Sequence, residues 1–127
     1  MKVIKMSDVK KDDKSADGIF TGGKVEIQFL TTTGIPDKTI KDPIAALQVN
    51  FSAGARSKFH IHDHPQILVV TKGKGIVATE KEEITVTPGM VVYFPPGENH
   101  WHGSTKDSDF SHISITTPGE TTWEGKK

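Results

Sequence analysis

The sequence predicts an all-β domain. Short runs in which apolar and polar residues alternate recur along the chain, and no long window places apolar residues at helical spacing. Glycine and proline, 12 and 7 of the 127 residues, separate these runs and supply the turns that a series of strands needs. A chain of this length forms one domain with its own hydrophobic core. We therefore expect a small β-barrel or β-sandwich.

The predicted strands follow one another in chain order. They are KVEIQFL, IAALQVNF, QILVVTK, the pair KGKGIVATE and EEITVTPG, MVVYFPPGENH and FSHISIT. The first two runs place alternate apolar residues on one face, and the continuous apolar run QILVVTK predicts a strand that is buried on both faces. In the last run, Phe110, His112 and Ser114 share one face, and Ile113 and Ile115 share the other.

The composition of the two ends differs from that of the middle. Residues 1–18 are rich in lysine and aspartate, which predicts a partly mobile or edge-lying arm. We expect a single barrel domain over residues 19–120 and a C-terminal tail over residues 121–127. The long irregular stretch 31–43 is either a lid or binding loop or a plain surface connection.

Charge and composition exclude several classes of function. Lys+Arg and Asp+Glu number 16 each, and this balance argues against a nucleic-acid partner. No run of about 18 apolar residues is present to span a membrane, and the N-terminal segment lacks the apolar stretch of a signal peptide. The absence of cysteine removes disulfides, thiolate zinc sites and cysteine nucleophiles. We expect a cytoplasmic protein that acts on a small molecule.

Five of the six histidines lie in two clusters, HIHDHP and NHWHG. His60 and His62 are two apart and therefore share a strand face, whereas His64 precedes Pro65 and is expected to be exposed. Gln66 opens the next apolar run, and the PPGEN turn would bring His100 over the same barrel mouth. Three nitrogens and one oxygen would bind a cation and leave coordination positions open for water or substrate.

The spacing of these residues resembles the two motifs of the cupin family. The matching residues are Gly54, His60, His62, Gln66 and Gly73 for the first motif, and Gly89, Pro95, Gly97 and His100 for the second. Gln66 replaces the usual Glu, and Ser104 replaces the usual Asn. The resemblance covers about residues 44–116. It implies a small double-stranded β-helix (jelly-roll) barrel with one divalent metal near its mouth, commonly as a homodimer.

The Gln at position 66 has an electrostatic consequence. Three neutral histidines and a Glu leave a divalent ion's site at net +1, whereas a neutral Gln leaves it at +2. The more positive site lowers the pKa of a bound hydroxyl or water, which favours a Lewis-acid role. It also disfavours oxidation of the metal, which weakens the case for oxygen activation.

A narrower resemblance is to the manganese-dependent cupin hydroxynitrile lyases. It rests on FTG at 20–22, HxHxxxQ at 60–66, HWHG at 100–103, and His112. The resemblance implies that a cyanohydrin oxygen sits on the metal, with His112 as the acid/base and His102 as a second donor that steers cyanide. It implies manganese, with iron, nickel and zinc as alternatives. We expect His112 to keep a pKa near the ordinary value of about 6.5, which suits proton transfer at neutral pH.

Two other functions stay open at this point. One is a cupin dioxygenase of the quercetinase type, which oxygen consumption with a flavonol or dione under iron loading would identify. The other is a non-catalytic module that binds a metal or small ligand, for which no labile coordination position is expected.

Overall fold

The computed structural model describes residues 3–31 and 44–126, so most of the irregular stretch 31–43 lies outside the described residues. The strands are β1 (Asp12–Asp13), β2 (Phe20–Thr21), β3 (Val25–Phe29), β4 (Ala45–Phe51), β5 (Arg56–Ser57), β6 (His60–His62), β7 (Gln66–Gly73), β8 (Gly75–Thr79), β9 (Glu83–Val86), β10 (Val91–Phe94), β11 (His100–Ser104), β12 (Phe110–Thr116) and β13 (Thr121–Trp123). One short 3-10 helix, Met6–Asp8, precedes β1. The described part of the chain contains no α-helix and no helix that could cross a membrane.

Two antiparallel sheets form the molecule. The first has the order β1-β3-β4-β12-β7-β10. The second has the order β13-β6-β11-β5-β2, with β8 paired to β11 and β9 paired to β8. Most neighbours in each sheet are not consecutive in the chain, as in a jelly-roll barrel, and this confirms the predicted all-β fold.

The apolar core lies between the two sheets. It consists of Val25, Ile27, Val49, Phe51, Ala55, Leu68, Val70, Val77, Val86, Phe94 and Phe110. The predicted faces of β3 and β4 point as expected, because their alternate apolar residues pack in or against this core. On β12, Phe110 enters the core and His112 and Ser114 are buried on the same face, whereas Ile113 and Ile115 are only partly buried. The prediction that β7 is buried on both faces is wrong: Leu68 is fully buried, but Ile67 beside it is 37% exposed. Among the described residues no layer covers the outer face of the first sheet at Ile67.

The two ends of the described chain extend the sheets. β1 lies at the edge of the first sheet and pairs with β3, so part of the N-terminal arm is edge-lying. Gln28 fixes the preceding segment, since its Nε2 donates to the carbonyl oxygens of Met6 and Val9, each at 3.1 Å. β13 pairs with β6 in the second sheet, so the barrel extends beyond the predicted boundary at residue 120.

Candidate metal and active site

Strands β6 and β11 bring three histidines together at one end of the barrel. His60 and His62 point inward and are buried, while Ile61 between them points outward and is 39% exposed. His100 begins β11 and pairs directly with His60. The candidate ligand nitrogens of these three histidines all lie within 4.8 Å of one another.

The turn before β11 is tied to β6. Gly97 adopts φ +84°, a left-handed conformation that glycine takes without steric cost. Its N–H donates to the carbonyl oxygen of His62 at 2.8 Å. The ring of Phe94 stacks on the ring of His100 with centroids 3.8 Å apart. The turn and the stacked ring together hold His100 above β6, in agreement with the path predicted for the PPGEN segment.

Backbone carbonyls fix the orientation of two of the rings. His60 Nδ1 lies 2.8 Å from the oxygen of Lys58, and His100 Nδ1 lies 2.9 Å from the oxygen of Glu98. A carbonyl oxygen only accepts, so each Nδ1 must carry the proton. In the neutral rings, Nε2 of His60 and His100 then presents a lone pair to the centre of the site.

His62 is oriented instead by a hydroxyl from the C-terminal strand. Its Nδ1 lies 2.7 Å from Oγ1 of Thr121, which is in β13. Thr121 lies in the segment that was predicted as a C-terminal tail, because no periodic pattern marks a strand of three residues.

Burial keeps the three rings neutral. Loss of hydration, together with the charge of a neighbouring histidine, lowers the pKa of His60, His62 and His100 to about 4 in each case. Neutral imidazole is the form that binds a metal ion.

Gln66 lies at the start of β7 and completes the cluster. Its Oε1 is 3.1 Å from Nε2 of His62 and 3.3 Å from Nε2 of His100. On the other side, its Nε2 donates to Oγ of Ser114 at 2.8 Å. The amide oxygen therefore points at the same centre as the histidine lone pairs.

A second pair of histidines lies beside this cluster. His102 on β11 and His112 on β12 face each other across the barrel, with Nδ1 of His102 3.2 Å from Nε2 of His112. Their outer nitrogens, His102 Nε2 and His112 Nδ1, are buried and have no hydrogen-bond partner among the described residues. Buried polar atoms without a partner are rare in folded proteins.

The expected pKa of His112 is wrong. Full burial lowers the pKa of His112 to about 3, and burial together with the charge of His112 lowers the pKa of His102 well below its ordinary value. Both rings are neutral at neutral pH. The sequence showed that His112 shares a face with Phe110, but it could not show that the barrel closes over both rings completely.

A cavity of about 260 Å³ joins the two histidine groups. Its polar lining includes Gln66, Ser114 and four histidines: His60, His62, His102 and His112. Apolar side chains also line the cavity: Ile19, Phe20, Ile27, Leu47, Val49 and Trp123. The lining suits a small substrate that carries both polar and apolar groups.

His64 differs from its prediction. It was expected to be exposed, but it is only 9% exposed and stacks on His62 with ring centroids 4.8 Å apart. The loop before β13 causes this burial, because Gly119 lies so close to the ring of His64 that a Cβ there would collide with it. His64 Nδ1 lies 3.1 Å from the oxygen of Pro65, and the ring supports His62 from the side.

The family model of the cupin domain matches residues 47–116, more than half of the chain. The chain is a cupin. An (R)-mandelonitrile lyase from Granulicella tundricola is 35% identical over an aligned length of 103 residues, and the match covers 77% of this chain and 79% of that protein. A cupin-like protein from Thermotoga maritima superposes with a TM-score of 0.80 at 32% identity, over 92% of this chain and 87% of that one. A polyketide cyclase from Streptomyces resistomycificus superposes with a TM-score of 0.77 at 19% identity, over 99% of this chain and 88% of that one, and therefore shares the fold.

The donor set of this cupin fits the divalent metal that the family implies. Nε2 of His100 carries a lone pair and therefore accepts. It lies 3.3 Å from the amide oxygen of Gln66, which is also an acceptor. Two acceptors at this distance repel each other unless a cation lies between them. Three imidazole nitrogens and one amide oxygen are ligands that suit first-row divalent ions.

Proposed function

We propose that this cupin is a metal-dependent lyase that cleaves a small hydroxylated substrate, and specifically a hydroxynitrile. The observation that carries the proposal is the His102–His112 pair: both residues line the cavity beside the candidate metal ligands, and each ring has one buried nitrogen without a hydrogen-bond partner among the described residues. The (R)-mandelonitrile lyase relative supports the specific reaction.

In the proposed site, His60, His62, Gln66 and His100 hold one divalent ion. The ion would supply Lewis acidity that lowers the pKa of a substrate hydroxyl. We propose manganese, on the resemblance to the manganese-dependent cupin lyases, with iron, nickel and zinc as alternatives. Nitrogen-rich sites bind the later of these ions more tightly, so manganese would have to be selected by availability.

Two neutral histidines that share one hydrogen bond always present one acid and one base to the cavity. If His112 Nε2–H donates to His102 Nδ1, then His112 Nδ1 is a free lone pair and His102 Nε2 carries a proton. The opposite tautomers exchange these two roles. Proton transfer through the pair therefore needs no charged imidazolium, which agrees with the lowered pKa of both rings.

The proposed cleavage uses both outer nitrogens. His112 Nδ1 takes the hydroxyl proton, the oxygen electrons form the carbonyl, and the bond to the nitrile carbon breaks with its electron pair on cyanide. The proton on His112 Nε2 passes to His102 Nδ1, and His102 Nε2–H protonates cyanide. The products are an aldehyde or ketone and hydrogen cyanide, and the pair ends in the opposite tautomers, ready for the reverse transfer.

The cavity lining favours one class of hydroxynitrile as the proposed substrate. Apolar side chains such as Phe20, Leu47 and Trp123 line the cavity together with the histidines. These apolar side chains favour a cyanohydrin whose substituent is aromatic or branched aliphatic, because burial of its apolar surface stabilises the complex.

The first experiment is metal analysis by mass spectrometry, followed by a mandelonitrile cleavage assay after removal and restoration of manganese. The proposal expects cleavage to vanish with the metal and return with manganese. Bound metal without cleavage would exclude the hydroxynitrile reaction, and a protein that takes up no divalent metal would exclude the proposal as a whole.

A further inference from the structure

Ser114 contacts the candidate metal ligand Gln66 and lines the same cavity. Ser114 is on β12 two residues after His112, on the same inner face, and is only 4% exposed. Its Oγ is 2.8 Å from Nε2 of Gln66, and the residue lines the cavity that the histidine pair faces.

The direction of this hydrogen bond determines what Ser114 has left to offer. An amide NH₂ group only donates, so the hydroxyl oxygen of Ser114 must accept. The hydroxyl proton of Ser114 then has no acceptor among the described residues. If the amide of Gln66 turned over, its NH₂ group would point at the lone pair of His100 and exclude a cation. Metal binding therefore keeps Ser114 in the accepting role.

A carboxylate at position 66 would reverse the bond. Both oxygens of an ionised Glu only accept, so Ser114 would have to donate its proton to the second oxygen. That proton would then be withheld from the cavity. The neutral Gln66 in this chain leaves the hydroxyl proton of Ser114 available to an acceptor in the cavity.

We propose that Ser114 binds the substrate by donating its hydroxyl proton to an acceptor atom of the substrate, an oxygen or a nitrile nitrogen, and that Gln66 makes this proton available. The inference rests on the proposed function, since it needs a metal on Oε1 of Gln66 and a substrate in the cavity. It adds to the His102–His112 pair a further polar contact to the substrate, on the same strand as His112.

The test is a double-mutant cycle on the manganese-loaded protein, with variants Ser114→Ala and Gln66→Glu and their combination. Calorimetry measures the binding of Mn²⁺ first, and then the binding of 2-hydroxy-2-phenylacetamide, a stable probe that carries a hydroxyl and a carbonyl acceptor. Ser114→Ala is expected to weaken probe binding about tenfold when Gln66 is present. In the Gln66→Glu background the same change is expected to cost less than about twofold, since the proton is already engaged there.

Ser111→Ala is the matched control. Ser111 lies on the same strand, is also 4% exposed, and donates to Oδ1 of Asn50 at 2.7 Å, on the face away from the cavity. Its loss is expected to leave probe binding unchanged. Equal losses from Ser114→Ala in both backgrounds, or no loss in either, would overturn the inference and leave the proposed function standing. A parent protein that binds no Mn²⁺ would overturn both.

Discussion

Gln66 contributes an oxygen to the candidate metal site without contributing charge. Its Oε1 lies within 3.3 Å of Nε2 of both His62 and His100. We predict that Gln66→Glu binds Mn²⁺ more tightly, lowers the reduction potential of the bound ion and slows cleavage, because a carboxylate removes one unit of positive charge. Calorimetry, voltammetry and a mandelonitrile assay measure the three effects. Unchanged redox behaviour together with unchanged activity would contradict the electrostatic argument.

His102 and His112 act as one unit in the proposed reaction. We predict that His112→Ala and His102→Ala each lower kcat at least about 100-fold. The double variant is expected to be no slower than either single variant, because removal of one ring already breaks the transfer. Metal content is expected to stay unchanged, since neither ring belongs to the proposed ligand set. Additive losses would show that the two rings act independently, and retained turnover in His112→Ala would assign proton transfer elsewhere.

At the scale of the element, β13 carries a residue that completes the site. Thr121 holds Nδ1 of His62 at 2.7 Å, whereas Thr122 beside it points away and is exposed. We predict that Thr121→Val weakens Mn²⁺ binding about tenfold, because the imidazole loses the partner that orients it. Thr122→Val, which makes the same chemical change on the same strand, is expected to leave the affinity unchanged. Equal affinities in both variants would show that β13 contributes only packing.

The elements that the sequence predicted are the ones long enough to show a pattern. β4, β7 and β12 have 7 or 8 residues; alternation marks the faces of β4 and β12, whereas a continuous apolar run marks β7. β2, β5 and β13 have 2 or 3 residues and carry no period, so their places in the second sheet emerge only from the fold. The candidate metal ligands could be predicted because they follow motif spacing. Thr121 could not, because it lies on one of these short strands. The predicted homodimer stays a prediction.

At the scale of the whole molecule, closure of the barrel turns the histidine pair into a neutral one. The ring of Phe51 packs against both histidines, with its centroid 5.7 Å from that of His112 and 6.0 Å from that of His102. Burial removes most of the hydration that would stabilise an imidazolium, so both pKa values fall. The same burial that forms the core therefore sets the protonation state that the proposed reaction needs.

This burial makes the stability of the fold depend on pH. In the unfolded chain each histidine titrates near about 6.5, whereas in the folded protein the pKa is about 4 for His60, His62 and His100 and about 3 for His112. As the pH falls below about 6.5, the unfolded chain takes up protons that the folded protein cannot, so folding weakens. The slope approaches about 1.4 kcal/mol per pH unit for each such histidine and levels off near pH 4, where the folded rings begin to protonate.

We therefore predict that the metal-free protein keeps its full stability above pH 7 and loses several kcal/mol between pH 6.5 and 5, which is a large part of the stability of a domain of this size. Urea unfolding at half-unit steps of pH measures the free energy of unfolding directly. Saturating Mn²⁺ is expected to raise stability at pH 7.5, by about 2.7 kcal/mol at 100 times the dissociation constant, and to lose this effect on acidification as protons compete for the ligands. A free energy of unfolding that stays constant from pH 7.5 to 5 would show that the histidines are not buried as neutral rings.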